Sequence, residues 1–267
     1  MNSKIIIILI VLTLMFTFMM YNHFQISKIR ISKVSFESDK VIGKVRISQI
    51  TDFHSNDKID LEDIYNKVAS FNPHIIVLTG DIIDFKTRNL SIAYSLIDSL
   101  NRINKPIYFV KGNHEFRNPM DLEFENGLIE RGVIFTQGQK IDLTLEDNQI
   151  SIFGAGFLFE SWDYDKLYSS LNKNNYNILL SHSPNRPVLY LHDNIDLILS
   201  GHTHGGQVRL PIIGGILSPG EGLFPKYDKG IIKIDDNTIL YIDSGLGNSL
   251  LPIRFLNPVQ ISELTIN

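Results

Sequence analysis

The sequence predicts an α/β (α+β) fold with mixed β-sheets, preceded by one N-terminal membrane helix. Strand-like and helical segments alternate over residues 45–110, and hairpin-like pairs of strands follow over residues 141–153 and 231–242. Such an order is typical of mixed sheets that are covered by helices. In addition, residues 5–21 form a run of seventeen uncharged, mostly apolar residues, which is close to the length of a bilayer span.

Residues 1–22 are predicted to form an uncleaved, single-pass anchor in the cell membrane. At about 1.5 Å per helical residue the apolar run reaches roughly 25 Å, near the short end of what spans a bilayer. A secretory signal peptide is the alternative, because Lys4 gives the segment a weakly basic start. However, the run ends at residues 18–21 in the sequence FMMY, without the small residues that a cleavage site requires.

Two opposing arguments bear on which side of the membrane the domain lies. Lys28, Arg30 and Lys33 follow the span and only Lys4 precedes it, so the positive-inside rule favours a domain on the cytoplasmic side. In contrast, a single anchor at the extreme N-terminus usually serves as an export signal. We expect the second argument to prevail and the domain to be extracytoplasmic.

Residues 23–44 are predicted to be a juxtamembrane stalk with a first strand, and residues 45–267 to be one domain. No repeat, low-complexity stretch or linker interrupts the domain. Buried or alternating apolar runs predict strands, and apolar residues at helical spacing predict helices. The predicted strands are 45–50, 74–79, 107–110, 141–145, 150–153, 177–180, 197–199, 231–234 and 238–242, and the predicted helices are 61–68 and 90–103.

The composition excludes several functional classes. Apolar residues make up 43% and charged residues 20% of the 267 residues, which is too apolar for a disordered chain. The net charge of −4 argues against a nucleic-acid partner, since such surfaces carry an excess of basic residues. The chain contains no cysteine, which excludes disulfides, thiolate metal ligands and a cysteine nucleophile.

Short loops that follow five predicted strands carry Asp, Asn and His side chains. These loops are Asp52-Phe53-His54, Gly80-Asp81, Gly112-Asn113-His114-Glu115, Ser181-His182 and Gly201-His202-Thr203-His204. Ligand sites in α/β sheets gather outside the carboxyl ends of the strands, so we expect these side chains to meet at one rim. Carboxylate and imidazole donors together suit Mn²⁺, Fe or Zn²⁺. The sequence therefore predicts a metal site.

In this order the motifs resemble those of the calcineurin-like metallophosphoesterase superfamily. The later segments 205–211 (GGQVRLP), 245–247 (GLG) and 252–255 (PIRF) are similar to the bacterial membrane-associated branch typified by the YkuE and YaeI phosphodiesterases. The resemblance covers residues 45–267. One departure lies at residues 257–260 (NPVQ), where that branch is expected to have an acidic residue after the proline.

The resemblance implies a four-layer αββα sandwich that binds two divalent metal ions per chain, either Mn, Zn or Fe. Its metal ligands would be Asp52, His54 and His204 for the first ion, Asn113, His182 and His202 for the second, and Asp81 as a bridge between them. His114 would be the catalytic residue that protonates the leaving alkoxide or stabilises charge near it. Glu115 would either orient His114 or be a solvated loop carboxylate, and the solvated interpretation is favoured because nothing nearby in the sequence fixes it.

The substrate is predicted from the loop at residues 209–227, which is unusually apolar. Packing of this loop against the core is the favoured interpretation, and an apolar wall or membrane-facing rim beside the metal ions is the alternative. Arg209 would contact a phosphate or cap a strand. Because a membrane anchor precedes the domain, the expected reaction is hydrolysis of a phosphodiester, lipid- or envelope-linked, by metal-activated water.

Other functions are alternatives. Nucleotide phosphodiesterases and protein phosphatases share the superfamily, although no basic groove or pattern of stacking aromatic residues in the sequence indicates a nucleotide. A non-catalytic scaffold of the same fold is disfavoured, because all eight motif positions between Asp52 and His204 carry the expected residues, and scaffolds tend to lose them.

Overall fold

Two six-stranded sheets form the centre of the chain. The computed structural model describes residues 3–218, 222–248 and 251–267. The strands are, in chain order, β1 (Arg30–Phe36), β2 (Val45–Ile50), β3 (Ile75–Leu78), β4 (Ile107–Phe109), β5 (Ile134–Phe135), β6 (Lys140–Leu145), β7 (Asn148–Ala155), β8 (Tyr176–Ser181), β9 (Leu197–Ser200), β10 (Arg209–Leu210), β11 (Gly214–Gly215), β12 (Leu217–Ser218), β13 (Gly222–Leu223), β14 (Gly230–Lys233), β15 (Ile239–Ile242) and β16 (Gln260–Ile266). The helices are α1 (Ser3–Ser27), α2 (Leu61–Phe71), α3 (Ser91–Asn101), α4 (Asn113–Arg117), α5 (Asp121–Glu130), α6 (Ser161–Tyr168) and α7 (Asn185–Leu189).

Both sheets contain parallel and antiparallel pairs. The strand order is β1-β16-β2-β3-β4-β5 in the first sheet and β14-β15-β9-β8-β7-β6 in the second. In the first sheet β2 to β5 run parallel, and β16 lies antiparallel to β2 but parallel to β1. In the second sheet β7, β8, β9 and β15 run parallel, and β6 and β14 are antiparallel edge strands. The predicted mixed sheets are therefore confirmed.

Successive side chains of a central strand point to opposite faces of its sheet, and apolar side chains pack on both faces. In β3, Ile75 and Val77 belong to the apolar cluster between the sheets, whereas Ile76 and Leu78 pack with the helices on the outer face. Helices α2, α3 and α5 cover the first sheet, and α6 covers the second. Each fully buried aliphatic side chain contributes about 1.5–3 kcal/mol. This packing is the four-layer αββα sandwich that the resemblance implies.

Local sequence sets the ends of α2. The Asp60 side chain accepts a hydrogen bond from the backbone N–H of Glu62, which satisfies one of the unpaired donors at the start of a helix. At the other end Asn72 adopts a left-handed conformation with φ 49° and caps the last turn. The helix therefore begins at Leu61 and ends directly before Asn72-Pro73, and both bounds agree with the sequence pattern.

Most of α1 stands apart from the sandwich, and its last turns contact residues 252–256. In the most apolar 18-residue stretch of the described helix, no residue is buried. The helix is long and apolar enough to cross a membrane. A signal sequence near the N-terminus would have the same properties. The helix continues to Ser27, so residues 23–44 contain its last turns and the edge strand β1. Residues 1 and 2 of the predicted anchor lie outside the described residues.

Candidate metal centre

The predicted site residues lie at the carboxyl ends of strands from both sheets. In the first sheet they follow β2, β3 and β4, and in the second sheet they follow β8 and β9. The backbone N–H of His202 donates to Oδ2 of Asp52 at 2.9 Å, and this hydrogen bond joins the loops of the two sheets. The strands thus bring together side chains that are far apart in the sequence.

The backbone of this centre is strained. A left-handed conformation is uncommon for non-glycine residues, and strained backbone clusters at functional sites. It occurs at five predicted ligands: Asp52 (φ 49°), His54 (φ 49°), Asp81 (φ 53°), His202 (φ 71°) and His204 (φ 50°). Close packing adds a second constraint, because a Cβ on Gly112 would lie 2.2 Å from Oδ1 of Asp81.

The first group of potential ligands consists of Asp52, His54 and His204, whose donor atoms lie close enough together to hold one ion. The Nε2 atoms of the two histidines are 3.2 Å apart. Oδ1 of Asp52 lies 3.3 Å from Nε2 of His204 and 3.8 Å from Nε2 of His54. The three donor atoms therefore lie close to one point, and their assignment to a first ion stays a prediction from the resemblance.

The second group consists of Asp81, His182 and His202. Oδ2 of Asp81 lies 3.1 Å from Nε2 of His182, and that nitrogen lies 3.2 Å from Nδ1 of His202. The same Asp81 oxygen is 3.8 Å from Nε2 of His54, a member of the first group. Asp81 consequently lies between the two groups, where a bridging carboxylate is expected.

Several buried polar atoms of these residues have no hydrogen-bond partner in the part of the chain that the structure describes. They are Oδ1 of Asp52, Nδ1 of His54, Oδ1 of Asn113 and Nδ1 of His204. An unsatisfied buried polar group costs about 1–3 kcal/mol. A cation at the point where the first group converges would engage the Asp52 oxygen, whereas a cation contact of Asn113 stays a prediction from the resemblance. The donor set therefore fits divalent ions with oxygen and imidazole ligands.

The electrostatics of the site favour positive charge beside Asp81. Burial alone would lower the pKa of His182, but its charge interaction and hydrogen bond with Asp81 raise that pKa to about 10. Burial lowers the pKa of His202 to about 4 and that of His204 to about 3. The pKa of Asp81 lies well below its usual value, because His182 and the other histidines outweigh the effect of burial.

Residues 45–206 match the family model described as calcineurin-like phosphoesterase. The chain belongs to this phosphoesterase family. The sequence motifs and the paired ligand groups agree with that membership, and divalent metal ions are the cofactors that both indicate.

Individual relatives support the same assignment. The phosphoesterase is 30% identical over 228 residues to the uncharacterized metallophosphoesterase YkuE of Bacillus subtilis, covering 83% of this chain and 78% of the relative. It is 29% identical over 224 residues to the uncharacterized protein YpbG of the same organism, covering 82% and 81%. Among solved structures, TT1561 of Thermus thermophilus aligns with a TM-score of 0.51 and 11% identity over 76% of this chain and 91% of that one, a likeness of fold alone.

His114 of the phosphoesterase lies at the edge of the ligand groups and contacts a carboxylate that the sequence analysis did not single out. Its Nδ1 is 3.1 Å from Oδ2 of Asp84 and 3.2 Å from the backbone nitrogen of Phe85. The backbone N–H of Phe85 donates to Nδ1, and the Asp84 carboxylate lies beside the same nitrogen. Partial burial would raise the pKa of Asp84, but the hydrogen bond with His114 keeps it below its usual value. The signal in the sequence is the carboxylate three residues after Asp81.

Glu115 is fully buried, so the prediction of a solvated loop carboxylate is wrong. Its carboxylate accepts hydrogen bonds from the backbone N–H groups of Asp81 (2.8 Å), Ile82 (2.6 Å), Ile83 (3.1 Å) and Gly112 (2.8 Å). Burial and the neighbouring Asp81 charge raise the pKa of Glu115. Glu115 therefore fixes the backbone of the two loops that present Asp81 and His114.

Arg209, the predicted phosphate contact, is engaged by groups of its own loop. Its guanidinium donates to Oδ2 of Asp228 at 2.8 Å and to the carbonyl oxygen of Gly205 at 2.9 Å. The same Asp228 oxygen accepts from the backbone N–H of Gly215 at 2.7 Å. These bonds tie the loop that carries His204 to the hairpin β10–β11. They give Arg209 a structural part in this hairpin, and a contact of Arg209 with phosphate stays a prediction from the sequence.

Most of the described apolar side chains of the loop do not pack against the core, although Tyr227 packs on the outer cluster of the second sheet, so the favoured prediction for the loop is wrong. Among the residues that the structure describes, six apolar side chains of this loop are exposed. They are Leu210, Ile212, Ile213, Leu217, Leu223 and Phe224. Residues 219–221 of the predicted loop lie outside the described residues. The alternative prediction, an apolar surface beside the metal centre, agrees with these exposures.

Proposed function

We propose that the chain is a dinuclear metal-dependent phosphoesterase and that it hydrolyses a phosphodiester. The observation that carries this proposal is the position of Asp81, whose Oδ2 lies between two groups of buried ligands. When bound, two divalent ions would lower the pKa of a water molecule and neutralise charge on the phosphoryl oxygens. The ion identity that the donor set supports is Mn, Zn or Fe.

In this proposal each side chain has one task. Asp52, His54 and His204 hold the first ion, Asn113, His182 and His202 hold the second, and Asp81 binds both. Support for the role of Asn113 comes from its Oδ1, a buried acceptor without a hydrogen-bond partner in the described chain. Glu115 acts through the backbone, because it holds the loops of Asp81 and Asn113 in place.

His114 is the proposed proton donor to the leaving alkoxide. Nδ1 of His114 is engaged by the Phe85 backbone N–H and lies 3.1 Å from Oδ2 of Asp84, so these contacts orient the ring and leave Nε2 as the nitrogen that faces the substrate. Nε2 lies 3.8 Å from Oδ2 of Asp81, so it faces the position at which a phosphate would contact the ions. A positioned general acid typically contributes about 10²–10⁴-fold to the rate.

The substrate class follows from the exposed loop that continues from His204. A phosphodiester has one negative charge and a second organic arm, which needs a surface beside the metal centre. Leu210, Ile213 and Leu217 offer an apolar surface of this kind. A lipid- or envelope-linked diester is therefore favoured over a dianionic monoester. Activity of the metal-reconstituted protein on monoesters, diesters and lipid phosphates tests this assignment, and nucleotide or phosphoprotein preference would replace it.

We expect kcat/KM to rise with the length of an alkyl arm on the diester. Each buried methylene contributes about 0.8 kcal/mol, so four methylenes would improve kcat/KM by up to about a hundredfold. The double variant Ile213→Asp, Leu217→Asp should flatten this dependence and leave metal content and turnover of a small diester unchanged. The same flat profile in both proteins, or a preference for monoesters, would show that the loop does not bind the substrate.

α1 is proposed to be an uncleaved anchor that holds an extracytoplasmic domain. The full-length protein should remain in the membrane fraction through high-salt and carbonate washes, because a hydrophobic span is not released when charges are screened. A mature N-terminus beginning after Met20 would contradict the anchor. Protease added to intact cells should digest the domain, and full protection would indicate the opposite orientation.

A further inference from the structure

A continuous layer of short backbone-paired segments connects the end of α1 to the loop of His204. We define this apolar layer as residues 207–218, 222–224 and 251–256. The backbone N–H of Arg209 donates to the Phe255 carbonyl at 2.9 Å, that of Ile216 to Val208 at 2.9 Å, and that of Phe224 to Ile216 at 2.9 Å. Each segment is thus held by the next, and the layer forms one unit.

The outer surface of the apolar layer carries large apolar side chains. Leu217 and Leu223 are cross-strand neighbours in β12 and β13, and directly opposite residues of an antiparallel pair lie on the same face. Contiguous apolar surface of this kind marks interaction sites. The exposed large apolar residues of the layer are Leu210, Ile212, Ile213, Leu217, Leu223, Phe224, Leu251 and Leu256.

The backbone of the layer favours this outward arrangement. Ile212, Phe224 and Leu256 have φ values of 73°, 53° and 50°, in the left-handed region that is a genuine outlier for β-branched or bulky residues. All three side chains are exposed, with Ile212 at 107% of its reference area. Strained backbone clusters at functional sites, so its coincidence with exposed apolar side chains is consistent with a functional surface.

Contacts with the last turns of α1 hold the apolar layer next to the end of the predicted membrane span. The Tyr21 hydroxyl accepts a hydrogen bond from the backbone N–H of Leu256 at 3.0 Å, and its ring lies 5.5 Å from that of Phe255. Asn22 bonds the backbone of Pro252 and Arg254 at 2.8 and 2.9 Å. Tyr21 ends the apolar run and is of the residue type enriched at membrane interfaces, so the layer begins at the interface.

Basic side chains accompany the apolar layer on its α1 side. A groove of about 620 Å³ lies there, lined by residues that include Phe24, Lys28, Arg30 and Leu256. Aromatic and basic side chains beside an apolar surface suit the headgroup region of a bilayer with anionic lipids.

We propose that the apolar layer inserts into the interface of the bilayer that α1 crosses. The metal centre then lies beside the lipid headgroups, because the Asn257 side chain that follows the layer donates to the carbonyl of His204. A substrate with an acyl or alkyl arm can reach the metal ions without leaving the bilayer. This last consequence rests on the proposed function, whereas insertion itself does not depend on hydrolysis.

Single-cysteine labelling of the full-length protein tests the insertion, because the natural chain has no cysteine. Ile213→Cys and Leu223→Cys would carry an environment-sensitive fluorophore in vesicles of phosphatidylethanolamine and phosphatidylglycerol. Leu122→Cys on α5 and Ile42→Cys are matched controls, with 70% and 83% exposed side chains. Nitroxide lipids should quench the two layer labels several-fold more than the controls, and aqueous iodide should quench them several-fold less.

Two results would overturn the proposal. Equal quenching of layer and control labels by both quenchers would place the layer in water. Protection of the layer labels from nitroxide lipids and from iodide would place it against protein, such as a second copy of the chain. The circular dichroism spectrum of each labelled protein reports folding, and a failure of the unsubstituted protein to hydrolyse a small soluble diester alongside normal lipid quenching would count against the proposed function only.

Discussion

Asp81→Asn is expected to remove metal from both positions and to lower kcat/KM by more than about 100-fold. Changes in groups that only support a metal ligand typically cost 10–100-fold, and Asp81 itself lies between the two ligand groups. The asparagine oxygen can still accept from the backbone N–H of His114, as Oδ1 does at 2.8 Å. Its amide nitrogen, however, cannot bind a cation. Metal content per chain and steady-state kinetics measure the two effects.

Asp52→Asn is the matched control for this variant. Asp52 belongs to the first ligand group only, so its substitution should weaken the first ion and leave the second bound. Activity should fall less than in Asp81→Asn. Near-normal turnover with two ions in Asp81→Asn, or the same loss of both ions in the two variants, would contradict the bridging role.

His114→Ala should keep its metal and lose about 10²–10⁴-fold in rate, the usual contribution of a general acid. The loss should shrink for p-nitrophenyl esters, because a p-nitrophenolate leaving group needs no proton. Rates for a series of leaving groups with different pKa values, together with metal content, provide the measurement. A loss that is uniform across the series would instead assign His114 to positioning or charge stabilisation.

Two further variants sharpen this comparison. Asp84→Asn keeps the size of the side chain but removes the charge beside Nδ1 of His114, so it should show the same dependence on leaving group with a smaller loss. His192→Ala changes a histidine outside the metal motifs and should behave like the unchanged protein. If Asp84→Asn had no effect, the proposed contact would not support the proton transfer.

The central strands and their terminal loops could be predicted because their signals are local. Runs such as residues 75–78 are apolar on both faces, which is how buried parallel strands appear in a sequence. Polar residues directly after such strands fall at one edge of the sheet. The eight motif residues are brought to one edge for this reason.

The pairing of the chain ends could not be predicted in the same way. β16 lies between β1 and β2, and β1 pairs with β16 in parallel register from Arg30↔Gln260 to Phe36↔Ile266. No local sequence pattern indicates which distant strand pairs with the edge of a sheet. A first strand was predicted within residues 23–44, but its pairing with the last strand of the chain was not.

The sequence also could not predict which polar side chains are buried and which apolar side chains are exposed. The partners of Glu115 include backbone N–H groups from a loop more than 30 positions away, and backbone donors leave no trace in residue identity. Ile212 and Leu223 are the converse case, because they are apolar residues whose side chains are exposed. Apolar residues that cover a core and apolar residues that face a partner have the same composition, so the sequence could not separate the two interpretations of the loop.

Titration of the metal-free protein with Mn²⁺ or Zn²⁺ tests the central claim most directly. The measured quantity is diester hydrolysis as a function of metal equivalents per chain, with bound metal determined in the same samples. The dinuclear arrangement around Asp81 predicts that activity rises until two ions are bound per chain and that chelation abolishes it. Full activity with one bound ion, or activity that survives complete removal of metal, would contradict it.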